Sequence, residues 1–213
     1  PASMRLRGCT VELRLRQVHR GDETVALTDK EARLLASPEA PIVLLEKAAP
    51  YDLAPSVAPG NPRLGVMLPY TPLHHLLLRN RFEALVMTSA NLSEEPIAIS
   101  NDEAFARLEG IADCFLIHDR EILQRCDDSV ARSIRGRTRL QRRSRGYVPS
   151  SLPLPRACER PVLAVGGELK NTIAIARDRD AFLSQYIGDL DNPEAYRFFE
   201  SSVRHLGAIL EIE

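Results

Sequence analysis

Proline sets the outer limits of what this chain can become. Pro50, Pro55, Pro59 and Pro62 crowd one connection, "APYDLAPSVAPGNPRLG", and Pro149, Pro153, Pro155 and Pro161 crowd a second, "VPSSLPLPRACERP". Proline locks φ at roughly −65° and has no N–H to donate, so neither stretch is helical or central in a sheet. Regular structure is confined to the intervals between and around them. The second stretch has no apolar periodicity and reads as an interdomain linker over 150–161.

Inside those intervals, helix and strand patterns alternate. "TDKEARLLAS" predicts a helix capped by Thr28, with Glu31 where a capping box needs it. "PIVLLEK" is a short buried strand, and "PLHHLLLRN" a helix with Pro72 in its first turn. "EALVMTS" is the next expected strand, followed by a helix over "NDEAFARLEG" with Asn101 as its cap and Gly110 past its end. "DCFLIHD", "DSVARSI" and "TRLQRR" complete the strands of an α/β or α+β sheet domain assigned to 28–149. A second unit over 162–213 follows, with strands in "VLAVGG", "NTIAIARD" and "AFLSQ". A helix then runs from Pro193 to about Leu210, capped by Asn192. Two or three strands and one helix rarely stand alone, so this unit reads as the opening of a larger domain. Residues 1–27 read as a remnant or linker. Pro1 to Ser3 ahead of Met4 suggest an expression scar, or a start inside a longer protein.

Composition narrows the class. With 44% hydrophobic and 27% charged residues the chain is ordinary globular material, and no apolar run approaches the roughly 18 residues that span a membrane. "PASMRLRG" lacks the apolar segment of a secretory signal. Cys9, Cys114, Cys126 and Cys158 are scattered without a Cys-x-x-Cys pair, which argues against a zinc ribbon and for reduced thiols in a cytoplasmic protein.

Four stretches are candidates for chemistry. "VMTSANLSEEPIA" sets Thr88, Ser89, Asn91 and Ser93 at the expected carboxyl end of a strand, where open sheets bind ligands and small side chains let backbone N–H groups approach phosphate. A plain Asx or Ser turn explains the same residues equally well. "RSIRGRTRLQRRSR" holds seven arginines in fourteen residues and no acid, which suggests a polyanion. If Arg139, Gln141 and Arg143 share a face, their side chains converge on one phosphate chain. A basic surface balanced by the acids near Asp102 and Glu103 is the bland alternative. Asp127 and Asp128 beside Ser129 could hold Mg²⁺ or orient arginines, and are also common turn residues. His74 and His75 point about 100° apart on a helix and make poor co-ligands. "VGGELKNT" joins two strands through Gly166 and Gly167, followed by Lys170 and Asn171. It is a hairpin that could also admit a phosphate.

Taken together and in order, "LGVMLPYTPLHHLLL", "LVMTSANLSEEPIAI", "HDREI…RCDDSVAR", "RRSRGYVP" and "VLAVGGELKNT…LSQYIGDLDN" resemble the HypF family. That resemblance covers Thr28 to the C-terminus. It implies a YrdC-like twisted mixed sheet with helices, then the β-hairpin and helix that open a TsaD-like (ASKHA) carbamoyltransferase domain. It implies an enzyme that activates carbamoyl phosphate with ATP and Mg²⁺ to carbamoyl-adenylate. The carbamoyl group then passes to the C-terminal cysteine of HypE, in the maturation of nickel–iron hydrogenases. By the same resemblance Thr88, Ser89, Asn91 and Ser93 bind triphosphate and carbamoyl, and Ser129, Arg143 and Arg145 clamp phosphates. Tyr70 and His74 flank the pocket, and Gly166, Gly167, Lys170 and Asn171 form the second domain's nucleotide hairpin. No side-chain nucleophile is expected.

Departures from the family pattern qualify this. The acylphosphatase domain, the cysteine-rich zinc motifs, a Lys-Gly-x-Gly-Gly strand and the histidine metal ligands of the transferase domain do not appear, so no zinc or iron site is expected. Glu94 stands where many YrdC-like domains carry glycine after the serine. Without the lysine strand this chain alone is expected to turn over weakly or not at all. Two other readings stay open. One is a double-stranded RNA-binding YrdC-like module using the arginine run. The other is a relative of the antibiotic O-carbamoyltransferases, which share these two domains.

Overall fold

The computed structural model describes residues 3–6, 9–12, 17–20, 23–47, 53–54, 56–79, 82 and 84–212, with side chains from Leu27 onward. Pro1 and Ala2 lie outside the described residues. The chain divides into two compact units, Pro1–Met87 with Asp128–Arg142, and Thr88–Asp127 with Arg143–Glu213.

In the first unit, the region read as a remnant or linker forms a four-stranded antiparallel meander, β1 (Ser3–Leu6), β2 (Cys9–Glu12), β3 (Gln17–Arg20) and β4 (Glu23–Ala26). Helix α1 (Asp29–Leu35) follows, and its capping box forms as predicted. Thr28 Oγ1 accepts from the Glu31 N–H at 3.3 Å, and Glu31 Oε2 accepts from the Thr28 N–H at 2.9 Å. Two of the four orphan N–H groups of the helix start are thereby satisfied. Strands β5 (Ile42–Glu46), β6 (Arg63–Val66), β7 (Val130–Ile134) and β8 (Arg137–Arg142) form a mixed sheet in the order β6-β5-β7-β8. Only the β5–β7 pair is parallel, with Val43 opposite Ala131. Both residues are fully buried, and with Leu27, Ala32, Leu34 and Leu35 they make the core that α1 closes over. Helix α2 (Pro72–Leu78) starts at Thr71, which accepts from the His74 N–H at 3.1 Å, with Pro72 at the first position.

The second unit holds α3 (Asn101–Leu108), an antiparallel sheet in the order β10-β11-β12-β9, and α4 (Pro193–Ile209). The strands are β9 (Leu152–Pro153), β10 (Val162–Ala164), β11 (Ala174–Arg177) and β12 (Asp180–Leu183). The proline-rich segment therefore contributes its own edge strand. Leu152 pairs with Ala181, and the Leu154 N–H donates to Arg179 O at 2.7 Å. Helix α4 buries Ala195, Phe198, Ser202 and Leu206, one helical stripe, against Ile173, Ile175 and Ile187. Each buried Leu, Ile or Phe contributes about 1.5–3 kcal/mol.

Three expectations need correction. Residues 84–89, read as the strand "EALVMTS", join no ladder, and Val86 is 71% exposed. "DCFLIHD" likewise forms no strand, with Leu116 75% exposed. An apolar run becomes a strand only where another strand accepts its N–H and C=O groups, and among the described residues none does so here. The cap of α3 is Ser100, whose hydroxyl accepts from the Glu103 N–H at 3.1 Å. Asn101, one residue inside, instead donates from Nδ2 to His118 O at 2.8 Å.

Candidate functional site

The polar corner at Thr88 belongs to the second unit, and its backbone folds on itself before any side chain intervenes. The Asn91 N–H donates to Ser89 O at 3.0 Å, Glu95 N–H to Leu92 O at 3.1 Å, and Ala98 N–H to Ala90 O at 2.9 Å. The Asn91 side chain donates onward to Leu92 O at 2.7 Å, which fixes the turn. Thr88, Ser89 and Ser93 stay exposed, and their hydroxyls carry no hydrogen bond among the described residues. The corner thus offers hydroxyls from a turn closed by its own backbone bonds. Glu94 sits at φ +65°, the left-handed region that glycine occupies without cost and other residues at roughly 1–2 kcal/mol.

Three charged side chains brace the strip beyond the corner. Arg107 donates to Pro96 O at 2.7 Å and pairs with Glu95 at 2.6 Å. Arg125 donates from Nε to Ile97 O at 2.7 Å. Both guanidiniums meet on Glu103 Oε1, Arg107 at 2.5 Å and Arg125 at 2.9 Å, while Glu103 Oε2 accepts from the Ile99 N–H at 2.9 Å. Burial pushes the Glu103 carboxyl up. The Ile99 N–H and the two guanidiniums outweigh that and hold it below the ordinary glutamate value. The sequence reading missed this brace. Glu103 and Arg107 stand four apart on one helix, a spacing that signals a pair, but Arg125 is distant in sequence and gives no local sign.

Arg143 lies one residue past the end of β8, whose exposed positions are Arg137, Arg139 and Gln141. It donates from Nη2 to Ser150 O at 2.8 Å, while Nη1 is buried with no partner among the described residues. Burial lowers its pKa. A buried guanidinium N–H without a partner is costly, and an anion would satisfy it. Arg145 donates its N–H to Asp127 O at 3.0 Å.

The hairpin residues cluster tightly. Gly166 has φ +71°, and a Cβ there would meet Thr172 O at 2.7 Å, so glycine is required twice over. Asn171 is 1% exposed. Its Nδ2 donates to Val165 O at 2.8 Å and Gly167 O at 2.6 Å, and its Oδ1 has no partner among the described residues. Lys170 is not free. Its N–H donates to Asp189 Oδ1 at 2.6 Å and its ammonium to Oδ2 at 3.2 Å. The hydrogen bond to Asp189 raises the lysine pKa, and the Lys170 backbone N–H first of all lowers that of Asp189. Asp189, unassigned from sequence, lay in the quoted "YIGDLDN" motif.

Tyr70, His74 and Ser129 belong to the first unit. The Tyr70 and His74 rings meet edge to face at 4.8 Å between centroids. Ser129 is fully buried, and its carbonyl accepts from the Ile42 N–H at 2.8 Å at the entry to the parallel ladder. Among the described residues no group of three or more His, Cys, Asp or Glu side chains converges on a metal position. Asp127 and Asp128, the expected Mg²⁺ ligands, fall on either side of the division between the two units. Among the described residues Cys114, Cys126 and Cys158 form no disulfide. No described helix is long and apolar enough to cross a membrane.

Comparison with known proteins gives two family matches. The Sua5, YciO and YrdC family, described as telomere recombination, matches residues 15–144, and the HypF Kae1-like domain matches residues 157–213. A carbamoyltransferase HypF from Synechocystis is 44% identical, covering 94% of this chain and 28% of that protein. One from Rhizobium leguminosarum is 44% identical over 93% of this chain and 27% of its own length. A crystal structure of full-length HypF in the phosphate- and nucleotide-bound form superposes with a TM-score of 0.82 at 42% identity, covering 88% of this chain and 30% of that one. The T. kodakarensis HypF structure gives 0.80 at 38%, covering 86% and 24%. The chain thus spans under a third of the length of the relatives it matches.

Proposed function

The chain belongs to the HypF family, carrying its YrdC-like domain and the opening of its Kae1-like domain, and from that premise we propose that it binds ATP and forms carbamoyl-adenylate. The observation that carries the reading is the corner from Thr88 to Ser93, which presents exposed hydroxyls and leads straight into a strip that Glu103, Arg107 and Arg125 brace. A site that neutralises phosphate charge works best when its donors need no reorganisation. Thr88, Ser89, Asn91 and Ser93 supply donors for the triphosphate and the carbamoyl group. Arg143 and Arg145 supply positive charge, with the unsatisfied Nη1 of Arg143 as the strongest single attractor.

The chemistry needs no protein nucleophile. Water hydrolyses carbamoyl phosphate to carbamate and inorganic phosphate, and a carbamate oxygen then attacks the α-phosphorus of ATP. The bond to the β-phosphate oxygen breaks, and pyrophosphate leaves. Positioning and charge neutralisation are the protein's work in such a step. Mg²⁺ bound with the phosphates would share the charge on the departing pyrophosphate. Transfer to the C-terminal cysteine of HypE, and a cytoplasmic setting for hydrogenase maturation, complete the proposal for the whole protein. Relatives named carbamoyltransferase HypF support that extension.

Equilibrium binding of ATP with Mg²⁺ tests the reading directly. Arg143→Ala is expected to weaken binding about tenfold or more, and Arg143→Lys to retain part of it, because a lysine keeps the charge and loses the fork. Carbamoyl-phosphate-dependent ATP–pyrophosphate exchange by this chain is expected to be slow. No ATP binding, or binding indifferent to Arg143, overturns the proposal. Salt-dependent binding of double-stranded RNA that ATP does not displace would assign the arginines to RNA instead.

A further inference from the structure

The segment Gly188–Asn192 touches both candidate anion features of the second unit. On one side it holds the hairpin. The Asn171 N–H donates to Gly188 O at 2.7 Å, Lys170 bonds Asp189, and the Leu190 N–H donates to Glu168 O at 3.0 Å. On the other side Asn192 reaches the polar corner, its Nδ2 donating to Glu94 O at 2.7 Å. The same residue caps α4, with Oδ1 accepting from the Ala195 N–H at 2.8 Å. One side chain therefore serves two tasks with its two ends. A second tie runs in parallel, since Arg125 lies over the Phe198 ring of α4 at 5.6 Å from the centroid.

The residue that Asn192 grips is the strained one. Glu94 adopts φ +65°, and its carbonyl is the group that Asn192 holds. Glycine would hold that conformation unaided, whereas glutamate needs an outside partner. We propose that Asn192 is a positioning residue for the Thr88–Ser93 corner. It holds the Glu94 backbone in its left-handed turn, so that the start of α4 and the "GDLDN" segment set the geometry of the corner. This rests on the reading of the corner as the ATP and carbamoyl site. It adds that the Kae1-like portion of the chain governs how well the YrdC-like corner is formed. The Glu94 carboxylate also contributes to raising the Lys170 pKa, after Asp189 and Tyr186, which places the corner within electrostatic reach of the hairpin.

Asn192→Asp isolates the effect. Aspartate caps helices as well as asparagine, so α4 keeps its start, but the donor to Glu94 is gone. Amide exchange measured by NMR on the 213-residue chain is expected to speed up about tenfold or more at Asn91, Glu95 and Ala98, and to stay unchanged at Ile175 and Phe182 of the sheet. Asn192→Ser, which also caps, is expected to do the same. Glu94→Gly placed in the Asn192→Asp background is expected to return corner exchange toward the wild-type rate and to recover ATP affinity lost in the single variant. Unchanged corner exchange in both Asn192 variants overturns the proposal, as does failure of Glu94→Gly to restore it. If the wild-type chain binds no ATP, the nucleotide reading falls on that result alone, and the exchange measurements still decide the role of Asn192.

Discussion

Glu103 accepts from the Ile99 N–H, Arg107 and Arg125 at once, and each partner leads back to the strip that follows the polar corner. Its side chain is 20% exposed, so the pairing is worth more than a surface ion pair. Replacing Glu103 by Gln is expected to destabilise the chain by about 2 kcal/mol at pH 7, the scale for hydrogen bonds to charged groups. The sign of the pH dependence follows from the depressed folded pKa. The contribution is fully present above the ordinary glutamate value of about 4.3 and is lost as pH falls through the lower folded value. Urea unfolding of both proteins should therefore show a gap at pH 7 that narrows below about pH 4. A gap that persists in acid would mean that the carboxylate charge is not what braces the corner.

At the scale of elements, local signals were legible and pairing was not. The box at Thr28 and Glu31, proline at the head of α2, Asn192 before α4 and the alternation in "TRLQRR" each reside within a few residues, and each formed where expected. "EALVMTS" and "DCFLIHD" failed because apolar content marks what a strand could bury, while its existence depends on a distant partner. The N-terminal meander was legible in part, since Met4 and Leu6, then Cys9, Val11, Leu13 and Leu15, alternate with polar residues, while its pairings gave no local sign. The corner itself was readable as a candidate, but its brace was not, because Arg125 joins Glu103 across 22 residues. These two sources of order differ in strength. Thr28→Ala is expected to cost about 1 kcal/mol, and Leu35→Ala, which empties a fully packed position beneath α1, about 2–5 kcal/mol. Chemical denaturation of the two variants measures both, and equal losses would contradict the packing described for α1.

At the scale of the whole molecule, the first unit is discontinuous in sequence, since residues 88–127 belong to the other unit. Its mixed sheet has β5 bonded to β6 on one side and to β7 on the other. A chain ending at residue 127 lacks Ala131, half of the fully buried centre of that sheet. Such a truncation is expected to lose cooperative thermal unfolding of the first unit, as read by circular dichroism, while a chain ending at residue 150 keeps it. Retention by the shorter chain would show that β5, β6 and α1 are stable without β7 and β8.

The parallel pairing of Ile42 with Val130 also has a consequence in time. A ribosome delivers the β5–β6 hairpin well before the strand that must lie alongside it. Until that strand emerges, Val43 has no Ala131 to cover it and the hairpin waits with one edge bare. Non-local closure of this kind is slow, and the waiting species is the one prone to stick to its neighbours. During synthesis, the most vulnerable form of this protein is therefore a nascent chain paused short of β7, and that is the form a chaperone would be needed to shield.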